Sequence, residues 1–201
     1  MILGIDFDNT IVCYDAVFYQ VARSRNLIPA DLPNSKTMVR DYLRRAGKEK
    51  DWTRMQGYVY GSRMREAEPY PGVLDFFLTC KNKKIETYII SHKTLFPYEG
   101  EQYNLHASAQ SWLEQFGFFD TNRIGLNKNN AAFVLTKEKK LEQIAAVGCT
   151  HFIDDLPEFL LEAKFPPNVA RILFDPNQLY PDYPGIRRSS SWQDIRKACF
   201  G

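Results

Sequence analysis

The chain has 201 residues, 44% hydrophobic and 25% charged, the composition of a globular protein with one sizeable core and room for a small insertion. Its 26 basic and 24 acidic residues are interspersed and leave a net charge of +2, which gives no argument for nucleic acid or for an anionic membrane as partner. No apolar run approaches the length of a membrane-spanning helix, and the N-terminus leads straight into a strand rather than a signal peptide.

The first predicted strand is "MILGID", followed at once by Phe7, Asp8, Asn9 and Thr10. Residues 13–70 then read as helical, in "DAVFYQVARSRNL", "NSKTMVRDYLRRAG" and "EKDWTRMQGYVYGSRMREA", with Pro29 and Pro33 separating the first from the second. This stretch is a small helical module inserted after the first strand, or else a long first crossover; the module is the favoured reading. From Pro71 onward, strand and helix patterns alternate. "PGVLDFFLTCKNK" is helical, with Pro71 placed for a first turn. "IETYIIS" (85–91) is a strand, "HASAQSWLEQFG" a helix ending at Gly117, and "AAFVLT" (131–136) a strand. "TKEKKLEQIAAVG" is a helix ending at Gly148, and "THFIDD" (150–155) is a strand. "LPEFLLEAK" is helical and "VARILFD" (169–175) is the last strand. The Tyr- and Pro-rich stretches "FPYEGEQYNLHA" and "DPNQLYPDYPGIRRSSS" read as loops. This alternation implies parallel pairing with right-handed crossovers. The expected fold is α/β, a doubly wound open parallel sheet. Residues 1–12 and 71–201 form its core domain and 13–70 the helical module. Cys13, Cys80, Cys149 and Cys199 are scattered without a CxxC pair, and read as reduced thiols of a cytoplasmic protein.

In an open α/β sheet, ligands sit beyond the carboxyl ends of the strands. Three of these ends carry polar groups. The first delivers Asp6 and Asp8, the second delivers Ser91, His92 and Lys93, and the fourth delivers Asp154 and Asp155. Four carboxylates converging on one edge repel each other, because like charges a few ångströms apart disfavour joint ionisation. A hard divalent cation with oxygen ligands, Mg²⁺, removes that conflict. A phosphoryl group would then fit between the metal and a lysine.

These stretches resemble the motifs of the haloacid dehalogenase-like (HAD) phosphohydrolases. "DFDNT" is similar to their DxDx[TV] signature, "YIIS" to the apolar strand ending in Ser or Thr, and "FIDD" to the strand ending in an acidic pair. The family's lysine lies ahead of that last strand, here within "LTKEKKLEQIAAVG". The matches run in family order over residues 2–155. The resemblance implies a Rossmann-like HAD fold with a helical cap over the site. It implies Asp6 as nucleophile, forming an aspartyl-phosphate, and Asp8 as general acid and base whose main-chain carbonyl also binds Mg²⁺. Ser91 would bond a phosphoryl oxygen, and the lysine would neutralise charge. The implied metal site is Asp6, Asp8, Asp154 and Asp155, with Asp155 the better match to the direct ligand and Asp154 to its water-bonding neighbour, the reverse staying open. Lys137 directly follows the strand and is favoured as the catalytic lysine, with Lys140 one turn further on. Lys140, Thr10, His92 and Lys93 are candidates for substrate contact; His92 and Lys93 serve equally well as caps of the next segment.

Asp8 argues against the dehalogenase branch, which lacks the second aspartate. The implied activity is a Mg²⁺-dependent phosphomonoesterase acting on a small phosphorylated metabolite, sugar phosphate or nucleoside monophosphate. A phosphotransferase or phosphomutase on the same chemistry, and a noncatalytic module keeping the fold, are the alternatives. The oligomeric state is not legible.

Overall fold

The computed structural model describes residues 1–201. In chain order the elements are β1 (Ile2–Ile5), β2 (Val12–Cys13), α1 (Asp15–Ser24), α2 (Lys36–Arg45), α3 (Glu49–Tyr60), β3 (Glu68–Pro69), α4 (Val73–Asn82), β4 (Glu86–His92), α5 (Leu105–Gln115), β5 (Ala131–Val134), α6 (Lys137–Ala146), β6 (His151–Asp154), α7 (Pro157–Leu160), β7 (Ala170–Phe174), β8 (Ile186–Ser189) and α8 (Trp192–Phe200). They fall into two compact units. One holds Met1–Val12, Pro69–Lys93 and Gly117–Gly201; the other holds Cys13–Glu68 and Thr94–Phe116.

The first unit is built on a six-stranded sheet of order β5-β4-β1-β6-β7-β8, in which every adjacent pair is parallel. The chain leaves the central β1 toward β4 and β5, then returns to the other side of β1 for β6, β7 and β8. The order therefore reverses at β1, which makes its carboxyl end the crevice of an open α/β sheet. β1 is nearly all apolar because strands buried on both faces of a parallel sheet have no solvated side. One core cluster joins Leu141 and Ile144 of α6 and Phe159 and Leu160 of α7 to Phe152, Leu173 and Ile186 of the strands. Around α4 and α8, Trp192 packs on Phe76 and Phe174, with ring centroids 4.9 and 5.7 Å apart. No helix is long and apolar enough to cross a membrane.

The structure differs from the sequence reading in four places. Ile186–Ser189 is a sixth sheet strand inside a stretch read as loop. Its two central residues are Arg187 and Arg188, so an edge strand with a polar middle lacks the apolar run that announces the others. Helix α4 starts at Val73 behind Gly72, whose φ of 87° only glycine adopts easily, so Pro71 precedes the helix rather than opening it. α7 is a single turn.

The fourth difference concerns residues 94–116, which the sequence reading placed with the core domain and which here join the unit of α1–α3. Trp112 Nε1 donates to the Ala67 carbonyl at 2.7 Å and Gln115 to that of Arg65 at 3.0 Å. A Cβ at Gly61 would meet the Tyr103 ring at 2.3 Å, so that glycine lets the ring lie against the end of α3. Within the same unit, Phe18 stacks near Trp52 at 4.9 Å and Tyr14 donates to the Met64 sulfur at 3.2 Å. All four cysteines are free thiols, and burial pushes Cys80 and Cys149 up to about 12.

Gly4 is the tightest point of the first unit. A Cβ there would sit 2.5 Å from the Phe152 ring and 2.8 Å from the Cys149 sulfur. Gly4→Ala should therefore lower stability by about 1–3 kcal/mol, the usual cost of overpacking. Chemical denaturation of the variant checks this, and unchanged stability would show that Phe152 moves aside freely.

Candidate active site

The turn after β1 sets the site. Ile11 and Val12 both donate their N–H to the Phe7 carbonyl, at 3.0 and 3.1 Å, and Asn9 sits at a φ of 58°. Asparagine tolerates this left-handed conformation better than most residues. The Thr10 carbonyl accepts from Trp192 Nε1 at 3.1 Å, tying the turn to α8.

Asp6 and Asp8 go to different partners. Asp6 is 5% exposed and Asp154 fully buried, and Lys140 Nζ lies between them, 2.5 Å from Asp6 Oδ1 and 2.6 Å from Asp154 Oδ2. The other Asp154 oxygen accepts the Leu156 N–H at 2.9 Å. Asp155, half-buried, accepts from the Thr10 hydroxyl at 3.3 Å. Carboxylate oxygens of Asp6, Asp154 and Asp155 all lie within 4.8 Å of one another. The Asp8 carboxylate is outside this group. It takes both its oxygens to Lys93 Nζ, at 3.0 and 2.7 Å, and Lys93 is itself 4% exposed.

The lysine favoured from sequence, Lys137, is half-exposed and reaches Glu162 at 3.7 Å. Lys140 takes the place among the acids. Side chains on a helix tilt toward its N-terminus, here the end of α6 at the ligand edge of the sheet. A lysine one turn in therefore reaches back to the strand ends, whereas one at the first helical position overshoots them. The aromatic rings of Phe159 and Phe152, 4.1 and 5.3 Å from Lys140 Nζ, line its path. Ser91 is buried at the end of β4, one strand from β1. His92 is turned elsewhere: its Nε2 donates to the Leu135 carbonyl at 3.0 Å, and burial lowers its pKa.

Burial pushes the Asp6 carboxyl up to about 7; Lys140 opposes this, while Asp154 and Asp8 add to it. Burial opposes the charge on Lys140, but Asp154 and Asp6 outweigh it and hold the ammonium charged. When fully ionised, three carboxylates and one ammonium leave two uncompensated negative charges. An all-oxygen donor set with that charge fits a hard divalent cation such as Mg²⁺.

No family model and no curated protein matches the chain. Solved structures do. It is similar to a HAD-superfamily hydrolase from Ehrlichia chaffeensis, with 16% identity over 98% of this chain and 94% of that one, at a TM-score of 0.55. A haloacid dehalogenase-like family hydrolase from Xanthomonas campestris gives 12% identity, 99% and 94% coverage and a TM-score of 0.56. A HAD-superfamily hydrolase of subfamily IA from Geobacter sulfurreducens gives 13%, 98%, 95% and 0.53. The fold is that of the HAD superfamily. Within that fold, Asp6, Asp8, Ser91, Lys140, Asp154 and Asp155 stand on the strand ends and the helix that border the switch point at β1.

Two predictions follow from this geometry. Lys140→Ala leaves two buried carboxylates unpaired, which costs about 3–5 kcal/mol in a buried ion pair. Lys137→Ala, at a half-exposed site, should stay within about 0.5 kcal/mol of wild type. Denaturation of both variants in metal-free buffer checks the contrast, and equal losses would refute the assignment. The second concerns pH. The folded chain holds a proton on Asp6 that the unfolded chain has released between the ordinary 3.8 and about 7. Metal-free protein should thus lose stability as pH rises through that window, since the unfolded state binds fewer protons there. The slope should flatten in Asp6→Asn, as thermal unfolding of both proteins at stepped pH would record.

Proposed function

We propose that this chain is a Mg²⁺-dependent phosphomonoesterase that cleaves a small phosphorylated metabolite through an aspartyl-phosphate on Asp6. The observation that supports it best is the separation of two acids two residues apart. Asp6 lies in the acidic group with Lys140, and Asp8 lies outside it on its own lysine. One strand end thus offers a nucleophile and a proton carrier with different surroundings, the arrangement that two-step phosphoryl transfer needs.

Asp6, Asp154 and Asp155, with the Asp8 carbonyl as the resemblance implies, would hold the cation, which when bound would neutralise phosphoryl oxygens facing the carboxylates. In the first step an Asp6 oxygen attacks phosphorus, the bond from phosphorus to the substrate's ester oxygen breaks, and Asp8 gives its proton to the departing alkoxide. In the second step Asp8 takes a proton from water, the water oxygen bonds phosphorus, and the bond to Asp6 breaks. Inorganic phosphate leaves with Asp6 restored. Lys140 holds one Asp6 oxygen, leaving the other to attack. Lys93 donates to both oxygens of ionised Asp8 in the free chain, so for Asp8 to carry the proton it delivers, one oxygen must give up that bond and take the proton while the other stays on Lys93. The Ser91 hydroxyl, buried at the same sheet edge, donates to a phosphoryl oxygen.

Phosphate release from an aryl phosphate, measured after chelation with and without added Mg²⁺, tests the proposal. Asp6→Asn should abolish turnover. Asp8→Asn should slow it by about 10²–10⁴-fold, the usual worth of general acid–base help. Because an aryl leaving group needs little protonation, a phosphoryl adduct on Asp6 should accumulate in Asp8→Asn and appear in acid-quenched mass spectrometry. Full activity in metal-free protein, or an adduct on another residue, would overturn the reading.

A further inference from the structure

A second cleft opens on the same edge of the sheet, at the ends of β7 and β8. It encloses about 350 Å³ and is lined by Asp175, Gln178, Arg187, Arg188, Ser189, Ser190, Asp194 and Lys197. β8 is the third strand from β1, roughly 14 Å away at about 4.8 Å per strand. The catalytic proposal uses none of these residues.

The cleft walls are fixed by internal bonds in which its acids take part. Asp175, 2% exposed, accepts the Leu179 and Tyr180 N–H groups at 2.9 and 3.0 Å, and Arg188 lies 3.7 Å away. Arg188 also donates to the Tyr180 carbonyl at 2.6 Å and pairs with Asp182 at 3.0 Å. Asp194 accepts from the Ser191 hydroxyl at 2.8 Å and more weakly from that of Ser190 at 3.4 Å. Gln178 is held at a φ of 52°, a strained conformation for a residue other than glycine.

Once these bonds are counted, the lining keeps donors without acceptors. Ser189 is 5% exposed, lines the cleft, and its hydroxyl makes no hydrogen bond within the chain. Arg187 and Lys197 enter no ion pair. The N-terminus of α8, whose amides carry partial positive charge, begins beside Ser190. Two cations and the solvent-accessible hydroxyl of a largely buried serine line one small volume, against Asp175, already bonded within the chain, and Asp194, which keeps its charge with hydroxyl donors on one oxygen only. We infer that this cleft is a second oxyanion site, taking a phosphate group borne by a small molecule through Arg187, Lys197 and Ser189.

The phosphate has two sources, the far end of a substrate bound at Asp6 or a separate ligand. Binding itself does not depend on the catalytic proposal. Uniformly ¹⁵N-labelled full-length protein titrated with inorganic phosphate at constant ionic strength should show saturable amide shifts at Arg187–Ser190 and Lys197. Arg187→Ala and Lys197→Ala should each weaken the affinity read there by about tenfold or more, as expected for losing a charge-assisted hydrogen bond. The first replaces an exposed edge-strand side chain and the second an exposed helical one, and the spectra report directly whether the fold survives. No saturable shift at these residues, or unchanged affinity in both variants, would overturn the inference. A kinetic arm, which does rest on the phosphatase reading, separates the sources. A rise in KM in Arg187→Ala for a diphosphorylated substrate but not for a monophosphate assigns the site to the substrate's far end. Unchanged KM for both, with the phosphate shifts retained in wild type, assigns it to a separate ligand.

Discussion

An ammonium group buried between two carboxylates is the interaction around which the first unit is arranged. Asp6 and Asp154 come from adjacent parallel strands, and without Lys140 their charges would face each other in a dry interior. The lysine has to come from a helix whose N-terminus lies at the carboxyl edge of the sheet, because only there does the backward tilt of a helical side chain bring Nζ to the strand ends. α6 is that helix. Phe152 and Phe159 line the path of the lysine, and Phe152 in turn needs the bare backbone of Gly4 across the sheet. A glycine in the first strand, an aromatic residue in β6 and a lysine in α6 are thus parts of one constraint.

The second lysine makes the site asymmetric. Alternation along an extended chain would send Asp6 and Asp8 to the same side. The turn at Phe7–Val12 and the pairing of Asp8 with Lys93 give them separate surroundings. Asp6 shares Lys140 with Asp154 and Asp8 pairs with Lys93, yet the Asp8 charge still helps to raise the Asp6 carboxyl, so the two acids differ in partner without being electrostatically independent.

Much of this was legible in the sequence, and the exceptions share a cause. β1, β4, β6 and β7 are visible as short apolar runs because interior strands of a parallel sheet have little polar alternation, and β5, a half-buried edge strand, is visible because its residues Ala131–Val134 are all apolar. β8 was not, because an edge strand with Arg187 and Arg188 at its centre carries no such run. The acids at the strand ends were legible because a polar residue terminating an apolar run is a local signal. The lysine was not, since Lys137, Lys139 and Lys140 occupy one turn and their order of approach is set by side-chain tilt, which spacing does not encode. Lys139 points to Glu142 at 2.6 Å and Lys137 to Glu162. The membership of residues 94–116 was hidden for a similar reason. It depends on contacts such as that of Trp112 with Ala67, 45 positions apart.

The energetics of the buried charges bear on function. Taking an ion out of water costs several kcal/mol, and a buried pair regains this only with good geometry and further hydrogen bonds. Replacing such a cluster with apolar side chains of similar volume is often neutral or stabilising. Here Asp6, Asp154 and Lys140 are buried together, and Lys93 is buried against Asp8, 85 positions away in sequence. Leu, Ile and Phe fill the rest of this sheet without difficulty, so a chain shaped only for stability has a cheaper solution at these positions. The acids are also left with more negative charge than Lys140 cancels. An arrangement that is costly to fold and still electrostatically unsatisfied is what the proposed function would need, a site at the end of β1 able to bring a cation and an anionic group together.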